Sequence, residues 1–374
     1  MQHEVKYLSN LTPLRGMAAL LVAIFHFEMA VARFVPRTSS MFFEKCYLMV
    51  DLFFVMSGFI MLHVYGQAFQ ERINRIPLRK FFVARFARIY PLHLFSLLLL
   101  VLLVIRFSPS GTYPNAIENP AAIPTNLFLL QSYHIHNIYT WNIPSWSISS
   151  ECAAYLCFPL LAFFVGKKKN LALILFILFV GLAYYSIMYL LPRKNPLYPA
   201  IPVPHNLNTT YDYGFLRGIA GFVIGMVIYE VYKLNKVKEF FNHDLPVFLI
   251  LFLAILALHF AINDAYCVIL FAGLVLGFAI NGGHIHRICN NRAFQYLGDV
   301  SYSIYLMQIF LQEPFSKGLR LPGVIGFGRG NQNIGFASGL VYCIVYLVLL
   351  VLISSATYYG IERPCRKWIN RRWG

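Results

Sequence analysis

Among the ionisable side chains within apolar runs of this chain, four stand out: Arg15, His26, Asp51 and Glu151. At bilayer depth such groups cost several kcal/mol unless they are paired or hydrated, so each is a functional candidate. His26 lies about 18 Å in from the start of its run, and Asp51 and Glu151 lie about 6 Å in from the starts of theirs, in a hydrocarbon core about 30 Å thick. With alternating run directions, all three fall in the outer half of the membrane. An imidazole with two carboxylates at similar depth is an acid–base set. The neutral ring takes a proton from a hydroxyl, and a carboxylate orients the ring and stabilises its charged form. Arg15 and His26 are eleven residues apart, which at 100° per residue is about three turns, so both lie on one helix face about 16 Å apart. Other readings stand beside this one. Arg15 also serves as a topological anchor that reaches the headgroups, and the histidine and carboxylates also serve as a buried ion pair joining three helices.

A second set is cationic: Arg72, Arg75, Arg79, Lys80, Arg85 and Arg88, ending at Tyr90-Pro91. Arg85 and Arg88 are three apart, hence neighbours on one helix face, and together present two guanidinium forks to phosphate oxygens. Contact with anionic lipid headgroups accounts for Arg72 to Lys80, and accounts less well for two arginines that enter an apolar helix. The run from Ser301 to Tyr305 offers the hydroxyls of Tyr302 and Tyr305 at helical spacing as candidate contacts for a bound cofactor, a pattern that also bridges membrane helices. Asn142, Ser147, Tyr302 and Tyr305 are candidate donors to an oxyanion. Ser147, Ser149 and Ser150 precede Glu151 without a nucleophile elbow, so no serine nucleophile is read. His63, His134, His136, His284 and His286 form no ligand set, and the seven scattered cysteines contain no CxxC pair, so neither a metal site nor a disulfide framework is expected.

The elements that must hold these residues are membrane helices. Hydrophobic residues make up 59% of the 374, charged residues only 12%, and the mean hydropathy is +0.62, which excludes a water-soluble fold. Apolar runs at 14–33, 47–66, 84–106, 146–165, 171–191, 214–233, 246–262, 265–281, 297–313 and 334–359 predict an all-α, polytopic membrane protein of about ten helices in one domain, 1–374. With the N-terminus in the cytoplasm, 21 of the 31 Lys and Arg fall on the cytoplasmic face, so both termini are read as inside. The net charge of +16 is therefore read as topology and contact with the lipid bilayer, and no nucleic-acid partner is expected. Ala30-Val31-Ala32 has the form of a cleavage site, but His26 and Glu28 interrupt the apolar core before it, so the first run is read as retained. The segments 107–144, 192–213 and 314–333 are rich in Pro, Gly and Asn or in aromatics, and are read as irregular and external. Within the first of them, Leu127 to Leu130 is too short to span and is read as a lid or half-inserted helix. No internal repeat of the kind found in many secondary transporters is evident.

Six motifs in order then resemble the acyltransferase 3 family of membrane acyltransferases: LTPLRGMAALLVAIFHF with Arg15 and His26, VDLFFVMSGFIM with Asp51, RFARIYPLH with Arg85 and Arg88, WSISSECAAY with Glu151, SYSIYLMQ, and IERP. The resemblance runs from Thr12 to Pro364. It implies transfer of an acyl group, usually acetyl from cytoplasmic acetyl-CoA, to a hydroxyl of a glycan or lipid-linked sugar across a bacterial cytoplasmic membrane, with ten core helices. It also implies that His26 is the central catalytic residue and Arg15 its partner. Arg85 and Arg88, with Arg15, contact the CoA phosphates, and Glu151 is an active-site carboxylate. Many members append a periplasmic esterase-like domain, which is not expected in this chain. Members often read Trp-His after Tyr-Leu where this chain has Met307-Gln308, so a histidine role there is lost or is taken over by a neutral hydrogen-bonding amide. A transporter using His26, Asp51 and Glu151 as a proton relay is the alternative from another class, and a structural scaffold for envelope assembly is a third. The oligomeric state and the identity of the acceptor sugar are not legible.

Overall fold

A computed structural model describes residues 8–107, 118–193, 203–316 and 335–374. Among these residues the chain is helices and connecting turns, without a β-strand. In order the helices are α1 (Leu11–Ala30), α2 (Phe42–Lys45), α3 (Met49–Gln70), α4 (Arg75–Phe107), α5 (Ile123–Leu127), α6 (Trp146–Lys167), α7 (Lys169–Tyr185) and α8 (Gly214–Tyr232). They continue as α9 (Asn235–Asn242), α10 (Asp244–His259), α11 (Asp264–Ile280), α12 (His284–Cys289), α13 (Arg292–Asp299), α14 (Ser301–Met307), α15 (Ile309–Ser316), α16 (Phe336–Thr357) and α17 (Arg363–Trp373).

Counted with the turns that continue them, seven helices among the described residues are long and apolar enough to cross a membrane, and an eighth joins them if α9 and α10, bent by 80°, form one span. The chain is a multi-pass membrane protein. Besides the run 246–262, whose α10 counts as a span only together with α9, two of the ten expected runs depart from full-length spans. The run 265–281 forms the 17-residue α11, and the run 297–313 is broken into α13, α14 and α15. The breaks have local causes. The Ser301 hydroxyl donates to the Gly298 carbonyl at 2.8 Å, and the Gln308 side chain donates to the Tyr305 carbonyl at 2.9 Å, so side chains satisfy backbone groups that a continuous helix would pair. Of the irregular segments, 108–117, 194–202 and 317–334 lie outside the described residues.

The described residues form two compact units, one comprising Phe54–Leu234 with Gly360–Gly374 and the other Tyr7–Phe53 with Asn235–Tyr359. In the first, α6 and α7 pack on α8, and α17 lies against α4. The segment from Glu118 to Ser145 folds over α4 on a buried polar network. His93 Nε2 meets the Asn126 carbonyl at 2.9 Å, and Asn142 donates to Ser96 Oγ at 3.1 Å. Leu129, His134 and Trp141 adopt positive φ here (56°, 56° and 52°), a costly conformation for bulky side chains. Each is tied down: the Leu129 carbonyl accepts from Ser149, the His134 N–H donates to the Tyr211 carbonyl, and the Trp141 indole donates to the Asn119 carbonyl. The stretch read as a lid is thus the end of α5 and a strained turn after it.

In the second unit α1 packs against α13 and α14, and α10 against α11. Glu28, inside the apolar run, caps the chain beyond α1, accepting from the N–H groups of Phe34 and Val35 at 3.3 and 3.2 Å. A Cβ on Gly16 would fall 2.7 Å from the Gly298 nitrogen, and one on Gly298 would collide with the Thr12 carbonyl, so α1 and α13 touch backbone to backbone. Gly298→Ala is therefore expected to force the helices apart at a cost of about 1–3 kcal/mol. A lowered thermal unfolding midpoint in detergent checks this, and a midpoint equal to the native one would show that the approach is looser.

Candidate active site

His26 sits one turn before the end of α1, partly accessible, with its ring 4.9 Å from that of Phe25. Its Nδ1 lies 3.2 Å from Oε1 of Gln308, a fully buried residue in the break between α14 and α15. The amide orientation is decided on its other side. Gln308 Nε2 faces the Tyr305 carbonyl, which can only accept, so Oε1 is the atom presented to the imidazole. An acceptor at Nδ1 places the proton of the neutral ring there and leaves a lone pair on Nε2. The Val22 carbonyl, one turn back, is a further acceptor beside the ring.

The other predicted residues of this unit surround the helix pair in sequence but do not take that position. Asp51 is fully buried in the first turn of α3, where the helix N-terminus favours a carboxylate. Arg15 lies in the second turn of α1, and Tyr302 and Tyr305 lie on α14, which packs on α1, with Tyr305 edge-on to Phe53 at 6.3 Å. A nearby ion pair went unread in the sequence. Lys45 pairs with buried Asp264, which also accepts from the Tyr47 hydroxyl at 2.7 Å.

Glu151, in the other unit, heads a chain of polar contacts. Its Oε1 accepts from Ser57 at 3.0 Å and from the Tyr155 hydroxyl, one turn along α6, at 2.5 Å. The Arg85 guanidinium lies 5.8 Å from the Tyr155 ring centre and 5.3 Å from that of Tyr65, whose hydroxyl it reaches at 3.1 Å. Arg88 points elsewhere, pairing with Glu362 of the IERP motif, a carboxylate 1% exposed, while Arg366 stands 3.8 Å from the same oxygen. The two arginines share a helix, and in this structure their guanidiniums meet different partners. Ser147, Ser149 and Ser150 each donate to a backbone carbonyl, those of Pro144, Leu129 and Trp146. Asn142 is buried against Ser96. Ser57, Tyr65, Tyr155 and Glu362 were missed by sequence reasoning. The Glu151–Tyr155 spacing of four on one helix was the available signal.

A family model described as an acyltransferase domain matches residues 9–359, which takes in His26, Arg85, Arg88, Glu151 and Gln308. The chain belongs to the acyltransferase 3 family. It is similar to Protein 2 in the picA locus of Rhizobium radiobacter, 41% identical over 87 residues, 23% of this chain and 40% of that protein. It is also similar to Acyltransferase MdmB of Streptomyces mycarofaciens, 32% identical over 165 residues, 43% of this chain and 40% of the relative. A third relative is the Peptidoglycan O-acetyltransferase OatA of Listeria monocytogenes, 24% identical over 201 residues, 50% of this chain and 29% of that protein. The matches span less than half the length of each of these relatives. No solved structure matches. Within this acyltransferase 3 chain, the IERP glutamate that holds Arg88 lies just past the matched residues.

Proposed function

We propose that this chain is a membrane O-acyltransferase that moves an acyl group, in the first instance acetyl, from acyl-CoA to a hydroxyl of a glycan or lipid-linked sugar. The observation that carries the reading is the His26–Gln308 pair, which leaves Nε2 of a partly accessible imidazole as a base inside a membrane helix. The acceptor hydroxyl attacks the thioester carbonyl. Its proton passes to His26 Nε2, the new C–O bond forms as the C–S bond breaks, and the proton ends on the departing CoA sulfur. An acyl group carried on Nε2 would use the same atom in two half-steps.

In this reading Arg85 meets the donor, and Asp51 balances charge in the unit that holds His26. Glu151 works through Tyr155 to hold the Arg85 guanidinium. The ten-crossing arrangement with both termini in the cytoplasm belongs to the same proposal, as does a bacterial cytoplasmic membrane, since it places donor and acceptor on opposite faces. The test compares the masses of cell-surface glycans from cells with and without the protein, and follows CoA release by the protein in vesicles supplied with acetyl-CoA. A gain of one acyl group and CoA release on adding acceptor are expected. Identical masses and no CoA release, with solute flux that needs no CoA, would overturn the reading.

A further inference from the structure

We propose that Gln308 is a positioning residue: its Oε1 holds the Nδ1 proton of His26, so that Nε2 is the ring atom that meets the acceptor hydroxyl. This rests on the reading of His26 as the base and says what sets its tautomer. Three observations carry it. The amide cannot be turned over without placing its oxygen against the Tyr305 carbonyl oxygen, two acceptors at 2.9 Å. Gln308 is fully buried, so water does not compete for the amide, and its own carbonyl accepts from the Tyr346 hydroxyl at 3.4 Å. Its place in the helix break frees the side chain to point across to α1, 282 residues away in sequence.

The partner is also neutral. A carboxylate on Nδ1 would stabilise the imidazolium, whereas an amide orients the ring without holding the captured proton, which suits a base that must pass it on to a thiolate. Of the charged groups on elements packed against α1, Glu44 pairs with Arg33 and Arg37 and Lys45 pairs with Asp264, which also accepts from Tyr47, while Arg292 and Asp299 stand at the two ends of α13. On α1 itself Glu28 caps the following turn, while Asp51 opens α3 and Tyr302 and Tyr305 stand on α14.

The test measures kcat, the KM for acetyl-CoA and the pH profile of purified native protein and of Gln308→Leu, Gln308→Glu and His26→Ala, each checked for monodispersity. Gln308→Leu removes the acceptor, so kcat should fall roughly 10- to 100-fold, as for other groups that orient a functional histidine, with donor KM unchanged. Gln308→Glu keeps an oxygen in place and adds charge. Because His26 is inactive when protonated and the carboxylate favours that form, the acid-side loss of activity should move to higher pH. If Gln308→Leu does not fold, the pH profile of Gln308→Glu alone decides. A native profile in Gln308→Glu and a kcat within about twofold of native in Gln308→Leu would overturn the positioning role while leaving an inactive His26→Ala to support the base. Full activity in His26→Ala would overturn both.

Discussion

His26→Ala is expected to reduce acyl transfer by at least roughly 100- to 10,000-fold, the usual worth of a general base, and leave the protein folded. Alanine is the best helix former, so α1 keeps its backbone. The change leaves Oε1 of buried Gln308 without its partner, a local penalty of about 1–3 kcal/mol, small beside the packing of α1 against α13 and α14. The measurement is product formation from acetyl-CoA together with a thermal unfolding curve, so that chemistry and folding are read separately. Loss of activity with a native-like curve assigns the ring to chemistry. Full activity would reduce His26 to a hydrogen-bonded packing residue.

Arg88→Ala carries the second large effect, and it is one of stability. Glu362 is 1% exposed and its carboxylate is compensated by the Arg88 guanidinium, with Arg366 as a more distant second cation. Removing one partner of a buried pair leaves the other charge stranded, at a cost of about 3–5 kcal/mol, part of which Arg366 offsets here. Arg88→Ala is expected to unfold at markedly lower temperature than the native protein, and adding Glu362→Gln should recover most of the loss because the stranded charge is gone. Arg85→Ala should behave differently. Its guanidinium lies near two tyrosine rings and, on the proposed reading, meets the donor, so its removal should chiefly weaken binding of acetyl-CoA, by roughly 10- to 100-fold for one lost charge-assisted contact. Equal melting curves for native protein and Arg88→Ala would remove the structural reading of the pair. Unchanged donor affinity in Arg85→Ala would return that arginine to a role in helix packing.

The contrast between these arginines illustrates what helical periodicity can say. A spacing of three correctly puts them on one face of α4, yet that face meets Tyr65 and Tyr155 at one residue and Glu362 at the next. Glu151 shows the same limit. Its position in an apolar run marked it as a candidate, and the structure gives its Oε1 to Ser57 and Tyr155, a contact with Tyr155 that a spacing of four on α6 makes legible and one with Ser57 of α3 that no spacing reveals.

By itself the sequence determined the multi-pass helical class and the family. Apolar runs long enough for a bilayer are local facts, and the six motifs are ordered along the chain. It also marked His26 and flagged Gln308 as the departure from the family pattern. Only the tertiary structure decided who meets whom: His26 with Gln308, Arg88 with Glu362 and Lys45 with Asp264 are 282, 274 and 219 residues apart. The physical reason is that a helical repeat relates side chains within about one turn of each other. Pairing between helices is set by where their surfaces come close, as at the Gly16–Gly298 contact of α1 with α13, and by breaks such as those at Val300 and Gln308 that re-aim a side chain.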